Sequence, residues 1–156
     1  MLEAAFLVTL LRPHHRNFGK RLIKNPKLYF LDPGLLCYLL DIRSAAELLH
    51  RAERGAVFES FVVSEFCKNY LHRGETPRLH FWRDSGAHEV DLVADRGAEW
   101  VPVEIKSAQT VAPGFFDNLA WWRKLAGQEN GPAALIYGGD DMYRRGGVCV
   151  YPWRVL

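Results

Sequence analysis

The stretch that most constrains this chain runs from His88 to Ser107, HEVDLVADRGAEWVPVEIKS. Asp and Gly accept the backbone angles of a tight turn, so Asp95-Arg96-Gly97 predicts two strands folded back on each other. Side chains alternate faces along a strand. Glu89 and Asp91 are therefore expected on one face, with Val90, Leu92 and Ala94 on the other. In the second strand Val101, Val103 and Ile105 make an apolar face, which leaves Glu104 and Lys106 together opposite it. Adjacent strands lie about 4.8 Å apart, so Asp91 and Glu104 can reach one cation, with Lys106 beside it. Two carboxylates, a lysine and a divalent ion are the parts of a phosphodiester-cleaving site.

At 156 residues the chain suits one domain, or one domain with an appendage, and can bury a real core. Hydrophobic residues at 49% and charged residues at 24% are ordinary for a soluble globular protein. The charge is unevenly placed. Residues 12 to 27 hold Arg12, Arg16, Lys20, Arg21, Lys24 and Lys27, with His14 and His15 and no acid. From residue 28 onward 14 bases face 17 acids, so the formal net charge of +2 is concentrated in one short segment. Cys37, Cys67 and Cys149 are odd in number and far apart, which argues against a zinc site or a disulfide framework and for a reducing compartment. The apolar start has Glu3 before it and bases after it, the wrong charge order for a signal peptide, and is too short to span a membrane. These features predict a cytoplasmic protein with no membrane partner.

Around the central stretch the elements follow from local signals. Ala4 to Leu11 and Lys27 to Phe30 read as strands of a hairpin with a basic tip. Asp32-Pro33-Gly34 opens a helix, since Asp caps and Pro suits the first helical position. Arg43 to Arg54 reads as a connection with a helical turn at Ala45 to His50. A longer helix is predicted from Ala56 to Leu71, with Phe58, Phe61, Val62, Phe66 and Tyr70 as its apolar stripe. Glu59 and Glu65 border that stripe and need a cation or a donor. Strands are expected at Leu79 to Arg83, His88 to Ala94 and Glu99 to Lys106, a helix at Phe115 to Ala126, then strands at Ala133 to Tyr137 and Gly147 to Tyr151. The intervening GGDDMYRR reads as a polar loop.

This order, with the D-x12-E-x-K spacing of Asp91, Glu104 and Lys106, resembles the PD-(D/E)XK nuclease superfamily of restriction-endonuclease-like folds. Val90 stands where that superfamily has its proline. The resemblance implies that Glu59, on the preceding helix, adds an acidic residue. LYFLDPGLL, GAVFESFVVSE, FWRDSGAHEVD and VEIKS further resemble the C-terminal domain of bacterial and archaeal AAA-type ATPases, over nearly the whole chain. In that family a P-loop ATPase module and a winged helix come first; this chain has no G-x-x-x-x-G-K-[ST] loop, so that module is missing from it. The resemblance divides the chain into residues 1–31, like the tail of a winged helix, and 32–156, a nuclease-like α/β domain with a small mixed sheet flanked by helices.

The expectation is a metal-dependent nuclease acting on DNA, with Mg2+ or Mn2+ as cofactor. Asp91 and Glu104 hold the metal, with the backbone carbonyl of Ile105 as a third ligand; Lys106 orients a water or stabilises charge. Glu59 closes the site from the helix, through water or by holding Lys106. The duller reading makes the same residues a cross-strand charge cluster, worth roughly a few tenths of a kcal/mol per pair. Arg12, Arg16, Lys20, Arg21, Lys24 and Lys27 either contact phosphates or form a solvated face. Trp82, Trp100, Trp121 and Trp122 either stack on bases or pack internally, and His80 and His88 read as surface or packing residues. A second function is a non-catalytic module that binds DNA or a partner protein for such an ATPase. A third is an assembly domain whose aromatics make a homo-oligomer contact.

Overall fold

The computed structural model describes residues 1–14, 18, 25–86 and 88–156. The chain opens with turns over residues 2–6, so the first strand, β1 (Val8–Pro13), begins later than the expected Ala4. It pairs antiparallel with β2 (Lys27–Phe30), Val8 opposite Phe30 and Leu11 opposite Lys27. Asp32 then caps α1 (Pro33–Leu39), its Oδ1 accepting from the N–H groups of Gly34 and Leu35 at 2.7 and 3.1 Å. Ser44 caps the short α2 (Ala45–Leu49) in the same way.

The long helix α3 (Arg54–Leu71) is turned differently from its predicted stripe. Its buried line is Val57, Ser60, Val63, Ser64 and Cys67, with Val62, while Phe58, Phe61, Phe66 and Tyr70 flank the core. Each of the two buried serines finds a partner. Ser64 donates to its own helix at Phe61, and Ser60 bonds the backbone of Phe30 in β2.

The meander β3 (Leu79–Arg83), β4 (Glu89–Asp95) and β5 (Trp100–Lys106) follows. Between the last two, Asp95 Oδ1 accepts from the N–H of Gly97 at 2.7 Å, and Gly97 takes φ of 87°, where a side chain would be strained. A 3-10 turn at Pro113–Phe116 leads into α4 (Asp117–Leu125), then β6 (Ala134–Tyr137), β7 (Tyr143–Arg145) and β8 (Val148–Pro152). β7 lies within the stretch read as a polar loop. All three of its residues are exposed, so no alternation marks it; Gly146 and Gly147, both at positive φ, fold it onto β8.

Among the described residues the sheet has eight strands in the order β2-β1-β3-β4-β5-β6-β8-β7. The meander is antiparallel, whereas β1 joins β3, and β6 joins β5 and β8, in parallel. α3 covers one face, over Leu11, Phe81, Leu92, Val103 and Ile136. α4 covers the other: its Trp122 meets Trp82, Val90, Val93 and Trp100, and its Leu119 meets Leu135 and Val150. Among the described residues no helix is long and apolar enough to cross a membrane.

Candidate functional site

The site begins with a slip in register. His80 faces Val93 and Trp82 faces Val90, so Phe81 alone stands opposite both Asp91 and Leu92: a β-bulge in β4. An inserted residue reverses the alternation beyond it. Val90 consequently packs with Val93 and the tryptophans on the α4 face, while Leu92 and Ala94 pack on the α3 face. The expected grouping of Val90 with Leu92 and Ala94 is corrected by this bulge, because strict alternation holds only where the ladder is regular.

The bulge also sets Asp91. The ladder between β4 and β5 ends at Leu92 opposite Val103, and just beyond it the N–H of Ile105 donates to Asp91 Oδ2 at 2.8 Å. Lys106 Nζ lies 3.6 Å from Asp91 Oδ2 and 2.5 Å from Glu104 Oε1. Glu104 is 4% exposed, and its Oε2 is buried without a hydrogen-bond partner. Such an atom is costly unless something positive completes it. Burial, then the charge of Asp91, pushes the Glu104 carboxyl up to about 7. Burial also raises Asp91, outweighing the pull of Lys106. Burial works to lower the Lys106 ammonium, but Asp91 and Glu104 outweigh it and hold it above the usual range.

Glu59, in the second turn of α3, is not held by Lys106. Its Oε1 accepts from Lys27 Nζ at 3.0 Å and from the Tyr29 hydroxyl. Lys27 also pairs with Glu89, which Arg83 meets from the solvent side at 3.5 Å. Burial first, and the Glu59 charge second, raise the Tyr29 phenol. Lys27 is thus part of the carboxylate cluster, partly buried between Glu59 and Glu89. Arg12 is exposed on β1, and Arg16, Lys20, Arg21 and Lys24 lie outside the described residues. Tyr29 and Glu89 were missed as site residues. The signal was available in period two, which puts Lys27 and Tyr29 on one face of β2.

Four carboxylates (Glu59, Glu89, Asp91 and Glu104) therefore share two partly buried lysines, Lys27 and Lys106. Among the described residues no three His, Cys, Asp or Glu side chains gather to hold a metal by themselves. Mg2+ needs fewer, since it keeps several waters and takes one or two carboxylates. Hard oxygen donors at Asp91 and Glu104, with the Ile105 carbonyl on the strand between Glu104 and Lys106 and the unpartnered Oε2, are of the kind Mg2+ or Mn2+ takes.

Trp82, Trp100 and Trp122 are buried, and Trp121 stacks on His88 with ring centres 3.9 Å apart. His14 is buried beside Trp100 and so stands apart from the exposed bases. Glu65 is answered by Lys68 at 2.7 Å, within its own helix.

Residues 54–156, which carry Glu59, Asp91, Glu104 and Lys106, match the family described as Domain of unknown function (DUF4143). The chain belongs to this DUF4143 family. Residues 1–46, which carry Lys27 and Tyr29, match a second description, Domain of unknown function (DUF8612). Uncharacterised proteins of Mycobacterium bovis and Mycobacterium tuberculosis are each 33% identical over 142 residues, covering 91% of this chain. The chain spans about 30% of the length of these curated relatives. No solved structure matches it. The acidic residues of the site thus lie in the DUF4143 portion, and two of its donors come from the segment before it.

Proposed function

We propose that this DUF4143 chain is a metal-dependent nuclease that hydrolyses phosphodiester bonds of DNA on a restriction-endonuclease-like core. In this reading it serves as the C-terminal module of an AAA-type ATPase family. The observation that carries the proposal is Glu104: buried, raised in pKa, with one oxygen unpartnered, beside Asp91 and Lys106. A structural ion pair gains nothing from an orphaned buried oxygen. A cation site does. The order α3, meander, α4 and the parallel pair β6 and β8 supports the fold assignment. The four motifs shared with the ATPase-linked domain support the wider role.

Asp91, Glu104 and the carbonyl of Ile105 would hold Mg2+ or Mn2+. When bound, the ion supplies Lewis acidity toward water and phosphoryl oxygens. Lys106 keeps both carboxylates oriented, and its ammonium aligns a water or offsets charge developing on the phosphoryl group. Glu59 faces the same cluster from α3. Arg12, with Arg16, Lys20, Arg21 and Lys24, supplies salt-dependent contacts to phosphates.

Calorimetric titration with Mn2+ on the wild type and on Asp91→Asn tests the site, followed by cleavage assays on plasmid and single-stranded DNA. The expected result is about one ion per chain, lost in the variant, with cleavage abolished in Glu104→Ala while the fold survives. Cleavage that persists in Glu104→Ala comes from a contaminant and removes the claim. Absence of both binding and cleavage makes the cluster structural and returns the chain to a DNA- or protein-binding module.

A further inference from the structure

We propose that the N-terminal hairpin contributes two positioning residues to the carboxylate site, Lys27 and Tyr29, which fix Glu59 relative to Asp91 and Glu104. This rests on the nuclease reading and extends the site beyond the segment that the DUF4143 family covers.

Three observations join here. The first is a latch between hairpin and helix. Ser60 Oγ, next to Glu59 on α3, accepts from the N–H of Phe30 at 3.0 Å and donates to the Phe30 carbonyl at 3.2 Å. Both backbone groups of one β2 residue are thus tied to the helix. The second is convergence. Lys27 and Tyr29 lie on one face of β2, and both donate to the same oxygen, Oε1 of Glu59. Two donors on one oxygen fix a carboxylate's rotation and leave its other oxygen outside those bonds. The third is reach: Lys27 also pairs with Glu89 and lies over the ring of Phe81, the residue opposite the bulge that sets Asp91.

A lysine placed so has two opposing effects. It orders Glu59, which favours a site assembled before substrate arrives. Its charge also repels a divalent ion entering the same cluster. Removing it should therefore separate affinity from turnover. A purely structural ion pair would lower stability and leave that relation unchanged.

The test compares the 156-residue wild-type chain with Lys27→Met, Lys27→Arg and Tyr29→Phe. Mn2+ affinity comes from calorimetry, kcat and KM from cleavage of a DNA duplex, and thermal unfolding checks the fold. In Lys27→Met, Mn2+ binding should tighten about threefold while kcat falls about tenfold at unchanged KM for DNA. Lys27→Arg should restore most of kcat. Tyr29→Phe should lower kcat and leave Mn2+ affinity unchanged. A Lys27→Met protein that equals wild type in both readouts overturns the proposal, as does one whose KM alone rises, or one that turns over faster. If Lys27→Met does not fold, Tyr29→Phe, which removes only a hydroxyl, decides by the same separation. Wild type that neither binds Mn2+ nor cleaves overturns the nuclease reading and this proposal with it. Wild type that does both, with Tyr29→Phe and Lys27→Met unaltered, overturns this proposal alone.

Discussion

Glu104 is the residue whose chemistry is most displaced by its surroundings. Burial, and then Asp91, lifts its carboxyl from the ordinary 4.5 to about 7. The folded state then holds a proton that the unfolded chain releases, so stability falls with rising pH in that window. The contribution is fully present below 4.5 and is lost as pH climbs through about 7. Glu104→Gln keeps the shape and removes the titration. In the absence of divalent ions its unfolding midpoint should vary less between pH 5 and pH 8 than that of the wild type, and at pH 8 it should be more stable by on the order of 2 kcal/mol. Chemical denaturation at the two pH values measures this. A variant as pH-sensitive as the wild type would mean that another group carries the dependence. The pairing of Asp91, Glu104 and Lys106 was readable from spacing alone, because residues facing each other across a tight hairpin are set by the turn. Tyr29 was not, because its partner lies on a helix 30 positions away in sequence.

At the scale of elements, the strands that carry alternating apolar residues were readable, and those without them were not. β3, β4 and β5 followed the expected order, whereas β7 is Tyr143-Arg144-Arg145, fully exposed and held only by backbone pairing with β8. The bulge in β4 leaves no local mark either, since it is defined by the partner strand. The helix stripe misled for a related reason. Phenylalanines are the more hydrophobic choice, yet Ser60 and Ser64 stand on the buried line of α3 while Phe58, Phe61 and Phe66 flank the core. A close approach supports Lys106 itself. Gly138, just past β6, donates to the carbonyls of Lys106 and Ala108 at 3.1 and 3.0 Å. A Cβ there would stand 2.6 Å from the carbonyl oxygen of Ser107. Gly138→Ala must therefore part the ends of β5 and β6, at a cost of about 2 kcal/mol in equilibrium unfolding. At the proposed metal site Mn2+ affinity should weaken in the same variant, since Glu104 and the Ile105 carbonyl shift with β5. Unchanged unfolding would show that this contact relaxes freely.

For the whole molecule, the question is whether the hairpin is an appendage. The sequence resemblance separates residues 1–31 from 32–156, and two families meet along the chain. In the fold, β1 extends the sheet through parallel pairing of Arg12 with His80, and Leu11 and Tyr29 lie in the same core cluster as Val62, Phe81 and Val103. Deleting residues 1–31 would strip that core of two buried side chains, each worth roughly 1.5–3 kcal/mol, and leave Glu59 and Glu89 without Lys27. The truncated chain should aggregate, or unfold without a cooperative transition, as seen by light scattering and circular dichroism. A cooperative, monomeric truncation would make the hairpin dispensable to the fold.

The sequence by itself determined the helices with capped starts, the meander, and the D-x12-E-x-K arrangement, because caps, turns and alternation are local and each is written within a few residues. Only the tertiary structure decided that β4 bulges at Asp91, that Glu104 keeps an unpartnered buried oxygen, and that Lys27 and Tyr29 hold Glu59. Each of these depends on which strand or helix lies alongside. Register, desolvation and charge balance are properties of the packed neighbours, and no single segment contains them.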